Sequence, residues 1–289
     1  MSNNGKKGSH DDYYVCPVCK QPLTPTINGL YCQRDGIEYP IKNGIVDFVT
    51  EDLKESTNPL LSSVGKFDNL AKIYEGPSWY GIIDMINAKL SLPSIEEMAQ
   101  IMTETVDAEN GLGLDVACGT GFVTRSLARK MRRVYGIDIS MGMLEKATDY
   151  AREGGIDNIC FARGKAERLP FPDAMFDGVT CSGALHTFPN AAEVLSEMAR
   201  VLKTGARLAV LTIVKSDIFS IEDYIEAMSS LVEGLEASIL FDEESLEESL
   251  KALHIFYVEE LDNYLSQTGF KGFEYTIYGP SILFHAEKG

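Results

Sequence analysis

The sequence predicts an α/β protein: a mostly parallel sheet covered by helices on both faces, preceded by a small β segment organised around cysteines. Two observations carry this reading. From Gly111 onward, apolar runs of strand length alternate with amphipathic runs of helix length, the rhythm of successive βαβ units. Ahead of it, three of the six cysteines (Cys16, Cys19, Cys32) crowd into a stretch broken by Pro, Gly and Asn, while Cys118, Cys160 and Cys181 lie scattered. That is no disulfide framework and points to metal ligation.

A length of 289 residues fits two domains at about 150 residues each. Hydrophobic residues at 45% and charged residues at 24% are close to the globular average. The net charge of -17 repels phosphate backbones and attracts no anionic membrane, so wholesale nucleic-acid binding is not expected. No apolar run approaches the roughly 18 residues of a membrane span, and MSNNGKKGSHDD lacks the apolar core of a signal peptide. A cytoplasmic protein without a membrane span, monomeric or homodimeric, is the expectation.

In chain order, residues 1–13 are polar and expected to be disordered. Residues 14–49 read as short extended runs separated by turn signals, and 50–65 as a polar linker. The second domain, 66–289, opens with three helix-like segments at 67–74, 77–90 and 93–106, the last two each led by a proline suited to a first helical turn. Strands are expected at 112–117, 134–138, 159–163, 178–182 and 207–214, with helices at 122–131, 142–152 and 191–202. Between Lys215 and Asp262 the rhythm breaks into an acidic helical stretch with a local charge of -12, read over 215–256 as a cap. GFKGFEYTIYG and SILFHAEK then read as an antiparallel pair joined at Gly279-Pro280.

The stretch LDVACGTGFVTRSLA runs from a buried strand through a small-residue turn into a helix. Gly119 and Gly121 allow close backbone approach to a ligand, and the helix start at Phe122 offers N–H groups. A dehydrogenase fingerprint fails because Thr124 stands where its last glycine belongs, and the Gly-Lys-Ser/Thr ending of a phosphate loop is missing. An acidic residue, Asp115, leading into Gly-x-Gly, with Asp138 closing the next strand in VYGIDIS, resembles the class I S-adenosylmethionine-dependent methyltransferases. Ala117 stands where that family has its first glycine.

The resemblance implies a Rossmann-like, seven-stranded sheet over 66–289 and an S-adenosylmethionine site. Its methionine part falls to the turn, and its ribose hydroxyls to Asp138, a carboxylate suited to accept from both. Ile139 and Met143 flank the adenine, and the N–H of Ala166, with Glu167 as a weaker candidate, serves the ring where Lys165 replaces the family's acidic residue. Cys181, on the fourth strand, counts among the cofactor-binding residues the resemblance implies; nothing basic adjoins Cys118 or Cys181 in sequence to make either a nucleophile, and buried packing is the alternative for both. Upstream, FDNLAKIY resembles a helix closing over the cofactor in the quinone-pathway methyltransferases, which brings Tyr74 to the carboxylate end.

Methyl transfer from a sulfonium rests mainly on positioning. His186 in SGALHTF lies where an acceptor would enter and is the candidate general base, beside the alternative of a histidine that only shapes the loop. The acidic cap suits a neutral, apolar or cationic small molecule better than RNA. Cys16 and Cys19, then Cys32 and Asp35, have the spacing of a zinc ribbon with a carboxylate in the last place. A Cys3Asp zinc site is chemically allowed; a metal-free ribbon, or completion by His10 or a neighbouring chain, are the alternatives. A ribbon ahead of a methyltransferase resembles the bacterial ribosomal RNA guanine methyltransferases, but Lys20, Arg34 and Lys42 make a thin RNA grip. The leading expectation is methylation of a small apolar or aromatic acceptor at carbon, oxygen or sulfur. An RNA base methyltransferase and a non-catalytic cofactor-binding regulator are the alternatives.

Overall fold

The computed structural model describes residues 13–49, 71, 75, 87, 92–215 and 253–289. The expected linker, the first two helix-like segments apart from Ala71 and Asn87, Tyr74 included, and 216–252 of the acidic stretch lie outside the described residues.

Four short strands come first: β1 (Thr24–Pro25), β2 (Gly29–Cys32), β3 (Ile37–Lys42) and β4 (Ile45–Asp47). Asn43 and Gly44, both at positive φ, close the two-residue β3–β4 hairpin that an Asn-Gly pair favours. Helix α1 (Ile95–Val106) starts two residues after Pro93, because Ser94 caps it: Glu97 N–H donates to Ser94 Oγ (3.1 Å) and Ser94 N–H to Glu97 Oε2 (2.8 Å).

Then β5 (Leu112–Val116), α2 (Phe122–Ala128), β6 (Arg133–Asp138), α3 (Met141–Glu153), β7 (Ile159–Arg163), β8 (Phe176–Ser182), α4 (Ala191–Val201) and β9 (Leu202–Ile213) alternate as expected. Helix α2 is shorter than the periodicity suggested, and β9 begins five residues earlier than expected, directly after α4. Helix α5 (Val258–Gln267) precedes the antiparallel pair β10 (Phe270–Tyr278) and β11 (Ser281–Lys288).

The strand order is β1-β2-β3-β4-β7-β6-β5-β8-β9-β11-β10. The last seven are the sheet expected of the second domain, with β4 to β9 parallel and β11 antiparallel to β9. The amino-terminal strands extend this sheet: β4 pairs in parallel with β7, Val46 opposite Ala162 and Asp47 opposite Arg163. Alternation along the strands separates two cores. Leu208, Val210, Ile282 and Phe284 pack with Val194, Leu195, Leu261 and Leu265 of α4 and α5, whereas Ala209 and Leu283 pack with Met102, Val106 and Leu127 of α1 and α2.

The ribbon is docked by more than one strand. Ile45 is buried with Leu144, Ala147, Cys118 and Phe161, so it belongs to the core beneath α3. Tyr14 sits among Phe48, Phe171 and Tyr135 with ring centroids 5.2–5.9 Å apart. Tyr13, expected in the disordered tail, packs edge-on to Tyr135 at 6.2 Å. Lys20 Nζ donates to Glu197 Oε2 (3.0 Å) and to the Leu169 carbonyl (3.1 Å). At the opposite edge of the sheet, β10 exposes Tyr275 and Ile277.

Because Ile45 lies in a core cluster shared by ribbon and helix, Ile45→Ala should cost about 3 kcal/mol of the stability of the whole chain. Urea unfolding followed by both circular dichroism and tyrosine fluorescence should show one shifted transition. Two separate transitions would mean that ribbon and sheet fold independently.

Candidate functional site

Strand order reverses between β5 and β8, which opens a crevice beyond their carboxyl ends. The turn after β5 fills it. Gly119 and Gly121 adopt φ of 53° and 77°, left-handed values that suit glycine, and a Cβ on Gly121 would meet Phe161 Cζ at 3.1 Å. Ala117 is also left-handed, at φ 55°. The glycine common at this place in the class I pattern would be relieved of a strain that costs alanine about 1 kcal/mol.

Asp115 is fully buried, and Thr124 Oγ1 (2.6 Å) and Thr180 Oγ1 (2.8 Å) donate to its two carboxylate oxygens. It thereby ties β5 to the first turn of α2 and to β8. Burial raises its pKa to about 6, opposed by those hydroxyl bonds. Asp138, at the end of β6, accepts from Gly119 N–H (2.8 Å) and Ser140 N–H (2.9 Å), so the turn and the β6–α3 corner are fixed to each other.

A cavity of about 300 Å³ lies over this turn. Asp115, Ala117, Gly119 and Thr120 form one wall; Ile95, Met98, Phe122, Val123 and Leu211 form an apolar one. Ser182, Tyr278 and Ser281 bring hydroxyls to it from β8 and the β10–β11 hairpin. At the turn end, Glu75 bonds Thr120 Oγ1 and pairs with Arg125, whose guanidinium stacks 5.4 Å from Phe122 and 5.1 Å from Tyr150 and donates to the Thr120 carbonyl (2.6 Å). Neither Glu75 nor Arg125 follows from the sequence motif. Arg125's place one turn into α2 was the available signal.

Of the residues singled out in the sequence, the structure brings Asp115, Ala117 and Gly119 to this wall and ties Asp138 to it through Gly119. Ile139 and Met143 follow Asp138 on the corner, Met143 N–H donating to Ser140 Oγ at 3.2 Å. Ala166 and Glu167 lie in the single 3-10 turn Ala166–Arg168 after β7. Asp138, Ile139, Met143, Ala166 and Glu167, as well as Gly121, Cys181 and His186, are not among the residues that line the cavity. Cys181 is inside β8, and burial pushes its thiol far above the ordinary range, as it does for Cys118.

His186 is 7% exposed, with Nδ1 3.2 Å from Thr212 Oγ1 and its own carbonyl accepting from His254 N–H (2.9 Å). Burial lowers its pKa to about 4, so the ring is neutral at pH 7 and resists taking a proton. This placement fits a histidine that shapes the loop.

In the ribbon, the donor atoms of Cys16, Cys19, Cys32 and Asp35 all lie within 4.8 Å of one another. Asp35 Oδ2 is 3.1 Å from Cys16 Sγ and 3.4 Å from Cys32 Sγ, and Cys19 Sγ is 3.5 Å from Cys32 Sγ. Ligands on a tetrahedral zinc would be about 3.8 Å apart for thiolates at 2.3 Å, so the four donors fit that ion. The protein alone places them unfavourably: burial and then the Asp35 carboxylate push the Cys19 thiol up to about 12. A divalent cation reverses that preference by binding thiolates. Tyr39 OH, 3.2 Å from Cys16 Sγ, supports the set from outside.

Comparison with known proteins agrees with this geometry. Residues 114–210 match a family model described as a methyltransferase domain, and residues 15–44 one described as Trm112p-like protein. The chain is 36% identical over 152 residues to the demethylmenaquinone methyltransferase of Lactiplantibacillus plantarum, covering 51% of this chain and 60% of the other. It is 29% identical over 213 residues to an uncharacterized chloroplastic methyltransferase of Arabidopsis thaliana, covering 66% and 59%. The chain thus spans about three fifths of the length of these relatives.

Among solved structures, geranyl diphosphate C-methyltransferase from Streptomyces coelicolor A3(2) superposes with a TM-score of 0.53 at 14% identity, over 68% of this chain and 77% of that one. The [4+2]-cyclase SpnF gives 0.51 at 21% identity, over 68% and 81%. These likenesses show a shared fold, and one fold hosting two reactions leaves the chemistry to the site.

Asp35→Ala should lower the zinc retained after purification, as read by inductively coupled plasma mass spectrometry; equal zinc in both proteins would remove Asp35 from the donor set. His186 gives a pH test. Its folded pKa of about 4 lies below the ordinary 6.5, so below pH 6.5 the unfolded chain binds a proton that the folded one refuses. Stability from this residue is complete above pH 6.5 and is lost as pH falls toward 4. At about 1.4 kcal/mol per pKa unit, the loss between pH 7.5 and 5 is about 2 kcal/mol. His186→Gln should abolish that part of the loss in urea titrations at the two pH values; an unchanged pH difference would mean that the ring is not held neutral.

Proposed function

On the premise of a methyltransferase domain that carries a Trm112p-like segment, we propose that this protein binds S-adenosylmethionine at the Gly119–Gly121 turn and methylates a small, apolar, aromatic acceptor of quinone-precursor type. The observation that carries the reading is a cavity running from the turn to an apolar wall closed by Met98, Phe122, Val123 and Leu211. Its size is at the lower end of small-molecule pockets, and the demethylmenaquinone methyltransferases among the relatives point to the acceptor class.

When bound, S-adenosylmethionine supplies a methyl group on a positively charged sulfur, a leaving group that needs no protonation. The chain's residues divide the remaining work. Gly119 and Gly121 would leave room for close approach, Asp138 at the fixed corner would accept from the ribose hydroxyls, and Ile139, Met143, the Ala166 backbone and Glu167 would hold the base. The apolar wall holds a flat acceptor and excludes water, while Ser182, Tyr278 and Ser281 orient its polar substituents. His186, buried outside the cavity wall, acts on the shape of the loop rather than as a base. The ribbon holds a structural zinc on Cys16, Cys19, Cys32 and Asp35. Lys20, one of its few cations, is engaged by Glu197 and the Leu169 carbonyl, which supports a scaffold role over an RNA grip.

The test is incubation with methyl-labelled S-adenosylmethionine and a reduced demethylnaphthoquinone, alongside total RNA and protein from a cell extract. Label should enter the organic-soluble fraction. Gly119→Val should reduce incorporation at least about tenfold, because a β-branched residue is strained at positive φ. Label in RNA or protein instead would overturn the acceptor class.

A further inference from the structure

We propose that Arg163, latched by Asp47 of the ribbon, is a positioning residue that sets the affinity of the cofactor site, so that the ribbon is a working part of that site. The inference rests on the cofactor reading above. Arg163 ends β7 and faces two ways. Its Nε donates to the Ile139 carbonyl at 2.8 Å, and its terminal nitrogen reaches Asp47 Oδ2 at 3.4 Å. Ile139 follows Asp138 on the corner that also receives the Gly119 N–H. One guanidinium therefore joins the last residue of β4 to the corner after β6.

The backbone runs parallel to this link. Asp47 lies opposite Arg163 in the parallel ladder, Phe48 N–H donates to the Arg163 carbonyl (2.8 Å), and Gly164 N–H donates to the Asp138 carbonyl (2.9 Å). From the other side of the corner, Ile45 supports α3 through Leu144 and Ala147, and Asn43 Nδ2 reaches Glu145 Oε1 at 3.4 Å.

Asp47 is 6% exposed, so its carboxylate depends on its partners: Val49 N–H at 3.1 Å, Arg163, and Lys42 at 3.9 Å. A charge pair this shielded is little screened by salt and strongly constrains the side chains that make it. With Asp47 removed, Arg163 loses the anchor that aims it at Ile139. With Arg163 removed, the corner loses this bridge while the bonds from the glycine turn and the ladder remain.

The experiment is calorimetric titration of S-adenosylhomocysteine, and of 5′-methylthioadenosine, into the full chain and into Asp47→Asn, Arg163→Gln, Arg163→Lys and the double variant Asp47→Asn/Arg163→Gln. Each of Asp47→Asn and Arg163→Gln should weaken both ligands about tenfold, the scale of one charged hydrogen bond. The double variant should be no weaker than Arg163→Gln, since the residues act in series, and Arg163→Lys should recover part of the loss. Losses that add, or unchanged affinity in folded single variants, would overturn the latch while leaving the cofactor reading intact. A wild-type chain that binds neither ligand would overturn both. Should Asp47→Asn not fold, Arg163→Gln and Arg163→Lys, altered at a partly exposed side chain, decide the outcome.

Discussion

The outer edge of β7 is where two parts of the molecule become one. A strand buried on both faces cannot leave a row of peptide groups unpaired, and here β4 supplies the missing partners over Val46 and Asp47. All three residues of β4 are buried, Ile45 toward α3 and Val46 toward the opposite core. Toward the amino terminus, this placement sets β3 through the Asn43-Gly44 hairpin and β2 in turn, which carries Cys32 and Asp35 to Cys16 and Cys19. Toward the carboxyl end of β7, it sets Arg163 and Gly164 against the Asp138 corner. This two-residue pairing thus fixes both the cysteine–aspartate cluster and the outer side of the glycine turn.

Two buried ionisable groups on either side of the crevice work against each other. Asp115, with its pKa raised to about 6, keeps its proton in the folded state over a range where the unfolded chain has lost it, so its contribution declines as pH rises from about 4 to 6. His186 has the opposite slope over nearly the same range. On acidification the stability gained from Asp115 therefore offsets part of the stability lost from His186, and both sit close to the cavity's framework.

Much of this was legible in the residues. The alternation of apolar runs gave the order of strands from β5 to β9, because burial on both faces leaves continuous Val, Leu and Ile runs that a periodic reading detects. The Gly119–Gly121 turn and Asp138 were legible because only small residues and a strand-ending carboxylate satisfy that geometry. The convergence of Cys16, Cys19, Cys32 and Asp35 was legible from spacing alone. Other features depend on contacts distant in sequence, which local pattern does not encode. The joining of β4 to β7 links residues more than a hundred positions apart, and Val46 carries no mark of it. His186 looked like a candidate base in a loop, and only the packing of Thr212 and the 254–256 segment around it reveals its burial. The role of Arg125 likewise requires Glu75, fifty residues upstream.

The two margins of the eleven-stranded sheet are unlike. One ends in β1, two residues long and containing Pro25, which lacks an N–H to donate. The other ends in the nine-residue β10, with Tyr275 and Ile277 turned outward. Among the described residues, the second margin is the one better suited to association by added strands. Two copies meeting there would be related by a two-fold axis, each covering the β10 edge of the other. Strand addition through β10 would therefore close at a pair.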